Sequence, residues 1–290
     1  MNINARHKDS VFSFLFSNPD TLRELYSAIE GVNLPPDTPI DINTLSDIFY
    51  MDQINDVSFT IDNRLVVLIE HQSTINRNMP LRLLMYIARV YEKIIDRKKL
   101  YQKNLEKIPE PEFIVLYNGK APYPDHEILK LSEAFKDAAN LRAAAAGPAM
   151  ELVVQVYNIN KGHNTALFEK SETLGGYSTF VDKIREYEKT LPREDAMKAA
   201  IKYCMDNNIL KPFFDTHSSE VFNMLITEWN TEEAKEVWFE EGREEGREDK
   251  QKEIAMTALA EGLPTDMIRK ITGLDMNAIN ELSTKLVCHC

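Results

Sequence analysis

Apolar residues first recur along the chain at helical spacing: Val11, Phe12, Leu15 and Phe16, then, past "SNPD", Leu22, Leu25, Tyr26 and Ile29. Asp20 is the expected N-cap of the second helix and Gly31 its stop. The proline-rich "LPPDTP" then reads as a surface connector. After it the period changes. Val57 to Ile61 and Arg64 to His71 predict the two strands of a hairpin about a polar turn at Asp62 and Asn63. The second strand runs five apolar residues together, Leu65 to Ile69, before Glu70 and Gln72. Pro80 suits the first turn of a long helix reaching to about Arg97. "EFIVLYNG", residues 112–119, predicts a third strand closed by an Asn-Gly turn. A helical patch is expected near Ile128 to Phe135, and "ELVVQVYNIN" predicts a fourth strand. From about Leu167 the pattern is helical almost throughout.

This alternation predicts an α/β fold: a core over residues 1–162 with a small mixed sheet and flanking helices, a helical region over 163–230, and a tail over 231–290. The tail opens with a charged helix carrying Gly242 and Gly246, and each glycine weakens an isolated helix by roughly 1 kcal/mol. Packing against a partner is therefore expected to hold it, which points to a homo-oligomer formed through the C-terminal helices. Two short helices follow, with Thr265 and Asp275 as expected N-caps. Such a pair can also read DNA, although Arg269 and Lys270 are its only basic residues.

Composition narrows the setting. No apolar run approaches the roughly 18 residues of a membrane span, and "MNINARHKDS" lacks the apolar centre of a signal peptide, so a cytoplasmic location away from membranes is expected. Cys204, Cys288 and Cys290 make neither a disulfide framework nor a CxxC zinc motif. A net charge of −12 argues against a nucleic-acid partner until its distribution is considered. Residues 201–250 carry 6 basic and 13 acidic side chains, whereas residues 76–107 carry nine basic against three acidic. That basic stretch starts just beyond Gln72.

Strand alternation puts Glu70 and Gln72 on one face and His71 on the other, where packing suits it better than catalysis. Directly paired positions of an antiparallel hairpin share a face and sum to a constant; 56 and 70 sum to 126, as do 61 and 65. This register needs a three-residue loop, Asp62-Asn63-Arg64, with a left-handed residue in it. A two-residue loop would set Asp56 opposite Ile69 instead. With the longer loop, the Asp56 and Glu70 carboxylates lie about 4.5–5.5 Å apart at Cβ and repel each other unless a cation sits between them. Magnesium, or another divalent cation, suits such a pair because it keeps waters and completes its shell with substrate phosphate. On the next helix, Arg82, Tyr86, Arg89, Lys93 and Arg97 fall within an arc of about 80°, a stripe suited to DNA phosphates as well as to plain solvation. Arg77 lies just before it.

"NDVSFTIDNRLVVLIEHQSTINRNMPLRLLMYIARVYEKI" resembles the signature of the recombination-promoting nuclease family, bacterial transposase-like proteins with a PD-(D/E)XK nuclease fold. "HKDSVFSFLFSNPDTLRELY", "PEFIVLYNG", "VYNIN", "YCMDNNILKPFF", "EEGREEGR" and "IRKITGL" extend the likeness over nearly the whole chain. The resemblance implies a metal-dependent endonuclease acting on DNA, with Asp56 and Glu70 as metal-binding acids. It also places Gln72 where the wider superfamily carries lysine, so a neutral hydrogen-bonding group replaces a cation. Asp9 resembles a recurrent family acid and is a candidate third ligand, or else a helix N-cap. Two other readings remain: a DNA-binding or regulatory scaffold that no longer cuts, and a module whose tail assembles oligomers.

Overall fold

The hairpin at Val57 is where the sheet is organised. The computed structural model describes residues 10–43, 57–136 and 150–287, with backbone alone for 228–242, 244–245, 248–249 and 284–287. Six strands form one mixed sheet in the order β1-β2-β3-β4-β6-β5: β1 (Ile40–Ile42), β2 (Val57–Ile61), β3 (Leu65–Gln72), β4 (Glu110–Tyr117), β5 (His126–Lys130) and β6 (Val153–Asn158). β3, β4 and β6 are parallel at its centre, while β1, β2 and β5 run antiparallel to their neighbours. Central strands covered on both sides need long apolar runs, which accounts for Leu65 to Ile69.

The hairpin register matches the expectation. Val57 pairs with Ile69 and Ile61 with Leu65, leaving Asp62, Asn63 and Arg64 as the loop. Asp62 and Asn63 both take positive φ, 47° and 51°, and the Arg64 amide donates to the Ile61 carbonyl at 3.0 Å. Short polar side chains tolerate that left-handed backbone better than others. β1 was not foreseen: it is a three-residue edge strand, too short for any period to show.

One face of the sheet is closed by α3 (Met79–Ile94), which crosses from β3 to β4. Val66 and Leu68, Val115 and Tyr117, and Val154 and Val156 pack there against Met79, Leu83, Tyr86, Ile87 and Val90. The helix is shorter than expected. It stops at Ile94, and Arg97 opens a separate 3-10 turn, Arg97–Tyr101, in which the Asp96 side chain accepts from the Lys98 amide. On the opposite face lie residues of α1 (Val11–Leu15), α2 (Pro19–Glu30) and α5 (Glu172–Tyr187), the last preceded by α4 (Thr165–Lys170): Phe12 and Tyr177 meet His71, and Tyr26 meets Phe59.

Several boundaries differ from the sequence reading. The N-cap of α2 is Asn18, whose side chain accepts from the Asp20 and Thr21 amides; Pro19 takes the first helical position and Asp20 the first turn. Gly31 does end the helix, at φ 68°. The patch expected to be helical near Ile128 is β5 followed by a 3-10 turn, Leu131–Ala134. Pairing with β6 outweighed a local pattern in which 128, 129 and 131 also suit a helix.

The chain divides into two compact units, Met1–Ile226 and Thr227–Cys290. α6 (Arg193–Asp206) belongs to the first, packing against α5. α7 runs without interruption from Lys211 to Ala260, through Gly242 and Gly246, so the charged helix is not a separate element starting after 230. In the second unit Ala255 and Ala258 form a small core with Ile268 of α8 (Thr265–Thr272) and Ile279 and Leu282 of α9 (Met276–Val287). Asp275 accepts from the Ala278 amide at 2.8 Å as a cap should, whereas the cap position of α8 is Pro264, with Thr265 already helical. Among the described residues no helix is long and apolar enough to cross a membrane.

Beneath α2, Glu112 on β4 accepts from the Tyr26 hydroxyl at 2.9 Å. Burial first, and then hydrogen bonding with Glu30, raise its pKa to about 7, with the charges of Glu30 and Glu110 adding to the shift. The unfolded carboxyl ionises near 4.5, so the folded state holds the extra proton between that value and about 7. Stability therefore falls as pH rises through this window and stays reduced above it. Glu112→Gln removes the penalty: its Tm should equal wild type at pH 4.5 and exceed it by roughly 2–4 °C at pH 8. Equal melting at both values would show that the fold does not raise the pKa of Glu112.

Candidate functional site

The carboxyl end of β3 carries the candidate groups. Glu70 and Gln72 point toward α3, and His71 points the other way. Glu70 is almost fully enclosed, with its side chain 4% exposed. Its Oε2 lies 3.4 Å from an Arg82 terminal nitrogen, longer than the roughly 2.7–2.9 Å of a tight charge-assisted bond. The same nitrogen donates to the Tyr86 hydroxyl at 2.9 Å, and the second terminal nitrogen of Arg82 lies 3.5 Å from the Met79 sulfur. Gln72 directs its amide nitrogen at that sulfur, at 2.7 Å. The Met79 thioether thus sits between Gln72 and Arg82, and Gln72 keeps its amide oxygen and one amide N–H for a ligand or a water.

His71 is a packed residue. It stacks on Phe12 at 4.9 Å between ring centres, meets Tyr177 edge-on, and lies 3.2 Å from the Tyr177 hydroxyl through Nε2. Burial, and then the positive charge of Arg185, lower its pKa to about 4, so the imidazole is neutral at physiological pH.

The basic stripe is rearranged. Tyr86 is 1% exposed and belongs to the core under α3, so it is no stacking platform for a base. Positions 79, 83, 86, 87 and 90 define the buried face, and the tyrosine hydroxyl is satisfied by Arg82 at its margin. Arg97 lies off the helix, as the Asp96-capped turn requires. Arg89 and Arg97 converge on Glu92, at 2.7 and 3.6 Å, and Arg77 pairs with Glu127 of β5 at 3.1 Å. Arg89 and Lys93 are exposed on α3. The structure thus gathers Glu70, Gln72 and Arg82 around Met79 and leaves Arg77, Arg89, Lys93 and Arg97 on the surface. Asp9 and Asp56 lie outside the described residues.

Sequence spacing missed the Glu70–Arg82 contact and the part played by Met79, since no local period links a strand end to the first turn of the following helix. The asparagines of "YNG" and "NIN" read from sequence only as marks of strand ends and turns. Asn158 is the last residue of β6 and Asn118 the first after β4, but both are buried, at 1% and 3% exposure. The signal was available in the two asparagines standing at matching ends of parallel strands.

Oxygen donors such as the Glu70 carboxylate and the Gln72 amide oxygen suit a hard divalent cation. Among the described residues no three His, Cys, Asp or Glu side chains converge as a metal cluster. Magnesium accepts as few as one or two carboxylates with waters and phosphate, so the donor set fits. Residues 41–160 match the model of a protein family described as "Putative transposase, YhgA-like". No curated protein and no solved structure matches the chain.

Proposed function

Residues 41–160 belong to the YhgA-like transposase family, that of the recombination-promoting nucleases, and from this we propose that the protein is a metal-dependent endonuclease of PD-(D/E)XK type that hydrolyses DNA phosphodiesters in recombination or mobile-element biology. The observation that carries the proposal is an enclosed carboxylate, Glu70, at the carboxyl end of a central parallel strand whose hairpin pairs with a constant sum of 126. Carried one residue further, that numbering would set Asp56, which lies outside the described residues, opposite Glu70. Glu70 and Asp56, with Asp9 as a third candidate, would hold the divalent cation. Bound there, it would acidify a water and neutralise charge developing at phosphorus. Gln72 orients that water through its amide oxygen, or a phosphate oxygen through the amide N–H that Met79 does not engage. Arg82, already directed at the carboxylate, supplies the positive charge that lysine provides elsewhere in the superfamily. Arg77, Arg89 and Lys93 hold the strand by its phosphates.

A DNA-binding scaffold that does not cut is favoured by one observation, the neutral Gln72 tied to Met79. Incubation of the full-length protein with supercoiled plasmid, with magnesium or with EDTA, separates the two. The nuclease reading expects nicked and linear products with magnesium alone. Salt-sensitive binding with intact plasmid under magnesium and manganese would select the scaffold.

A further inference from the structure

The carboxyl ends of β4 and β6 open into a cavity of about 690 Å³ that the groups around Glu70 do not use. Its size suits a nucleotide-sized ligand, and ligands of open α/β sheets gather beyond the carboxyl ends of parallel strands. Gly119 lines it and lies so close to the Ser73 carbonyl that a Cβ there would strike it, so the loops after β3 and β4 abut. Asn158 stiffens the wall: its amide nitrogen donates to the Tyr123 carbonyl at 2.8 Å, and its oxygen accepts from the Asn160 backbone and side chain.

Into this cavity α5 brings Arg185. One terminal nitrogen donates to Asn160 Oδ1 at 2.7 Å and the other to the Asn118 carbonyl. Both acceptors are neutral, and among the described residues no carboxylate lies within 4.0 Å of the guanidinium. The two lining acids are already held by other cations: Asp182 by Lys161 at 3.0 Å, and Glu188 by Arg193 at 3.0 Å. Lys189 is exposed at the rim, and Lys120 reaches Glu188 only at 4.0 Å. Two of the five guanidinium N–H groups are therefore engaged, and a planar fork remains with surplus positive charge about it.

We propose that this cavity is a phosphate-binding subsite, anchored by Arg185 and rimmed by Lys120 and Lys189, that takes a phosphodiester of a DNA strand lying along the edge from Gln72. The anion chemistry stands on the cavity itself; only its assignment to a DNA strand rests on the proposed nuclease function.

Binding of a fluorescein-labelled DNA duplex to the full-length protein in EDTA, followed by anisotropy across a salt series, tests it. Arg185→Ala should weaken binding roughly tenfold or more and flatten the slope of log K against log salt by about 0.9. Lys120→Ala with Lys189→Ala should weaken it by a smaller factor, while Lys202→Ala, on α6 and outside the cavity, should leave it unchanged. If Arg185→Ala loses its far-UV circular dichroism, the rim double variant decides alone. Binding of inorganic phosphate, followed by titration calorimetry, that is lost in the variants while their DNA affinity is unaltered would assign the subsite to a free small anion and overturn the DNA assignment. Wild-type affinity and slope in both variants would overturn the subsite even if plasmid is cut. Weakened binding in the variants, with no cutting by wild type, would uphold the subsite and sink the nuclease reading.

Discussion

Glu70→Ala should abolish magnesium-dependent nicking, lowering the rate by about 10³-fold or more, while duplex binding in EDTA changes little. The carboxylate is enclosed at the end of β3; on the proposed reading it is a metal ligand, so its loss should remove the cation from the reaction rather than a contact to DNA. The Arg82 partner is left without that carboxylate, but the pair is long and Arg82 keeps the Tyr86 hydroxyl, so folding should survive. Glu70→Gln preserves shape and tests charge alone; it should be nearly as inactive. Asp56→Ala should behave in the same way. Nicking at wild-type rates by a folded Glu70 variant would remove the site from β3.

Tyr86→Ala should cost about 3–5 kcal/mol of stability, read as a lower denaturant midpoint with an unchanged slope. The ring fills the centre of the layer between α3 and the sheet, where no solvent reaches it. Tyr86→Phe retains the ring and loses one hydrogen bond to Arg82, so its cost should be about 1 kcal/mol. DNA affinity of the phenylalanine variant should be that of wild type, since the residue faces the core. A large loss of DNA binding by Tyr86→Phe at undiminished stability would return the side chain to the surface stripe.

Tyr86 also shows what the sequence could and could not convey. An angular projection put it among arginines, yet 83, 86, 87 and 90 are equally a three-and-four repeat, and an aromatic ring with a polar tip satisfies either face. Burial chose the core, with the tip answered by Arg82. The hairpin register was legible because the position of Glu70 and the polar turn agreed on one loop length, and Asp62 and Asn63 adopt the backbone such a loop requires. β5 was not legible. On an edge strand only Leu129 is buried, so the alternation that announces a strand is almost absent. Contacts between elements left no trace in any local period: Arg82 against Glu70, Gln72 against Met79, and Arg185 against Asn118 and Asn160. Asn118 and Asn158, at the ends of β4 and β6, were visible as residues, but their burial follows from the sheet order, which brings β6 beside β4 although β5 lies between them in the chain.

That sheet order bears on synthesis. The strand that completes the centre of the sheet, β6, is the last of the six to leave the ribosome, and it slots between β4 and β5. Until it arrives, β4 presents an apolar flank with unanswered amides and carbonyls, the kind of surface on which nascent chains cling to one another. A chain halted ahead of Val153 is thus exposed to aggregation rather than merely incomplete, and the pace of translation through the segment before β6 becomes part of how this protein reaches its native state.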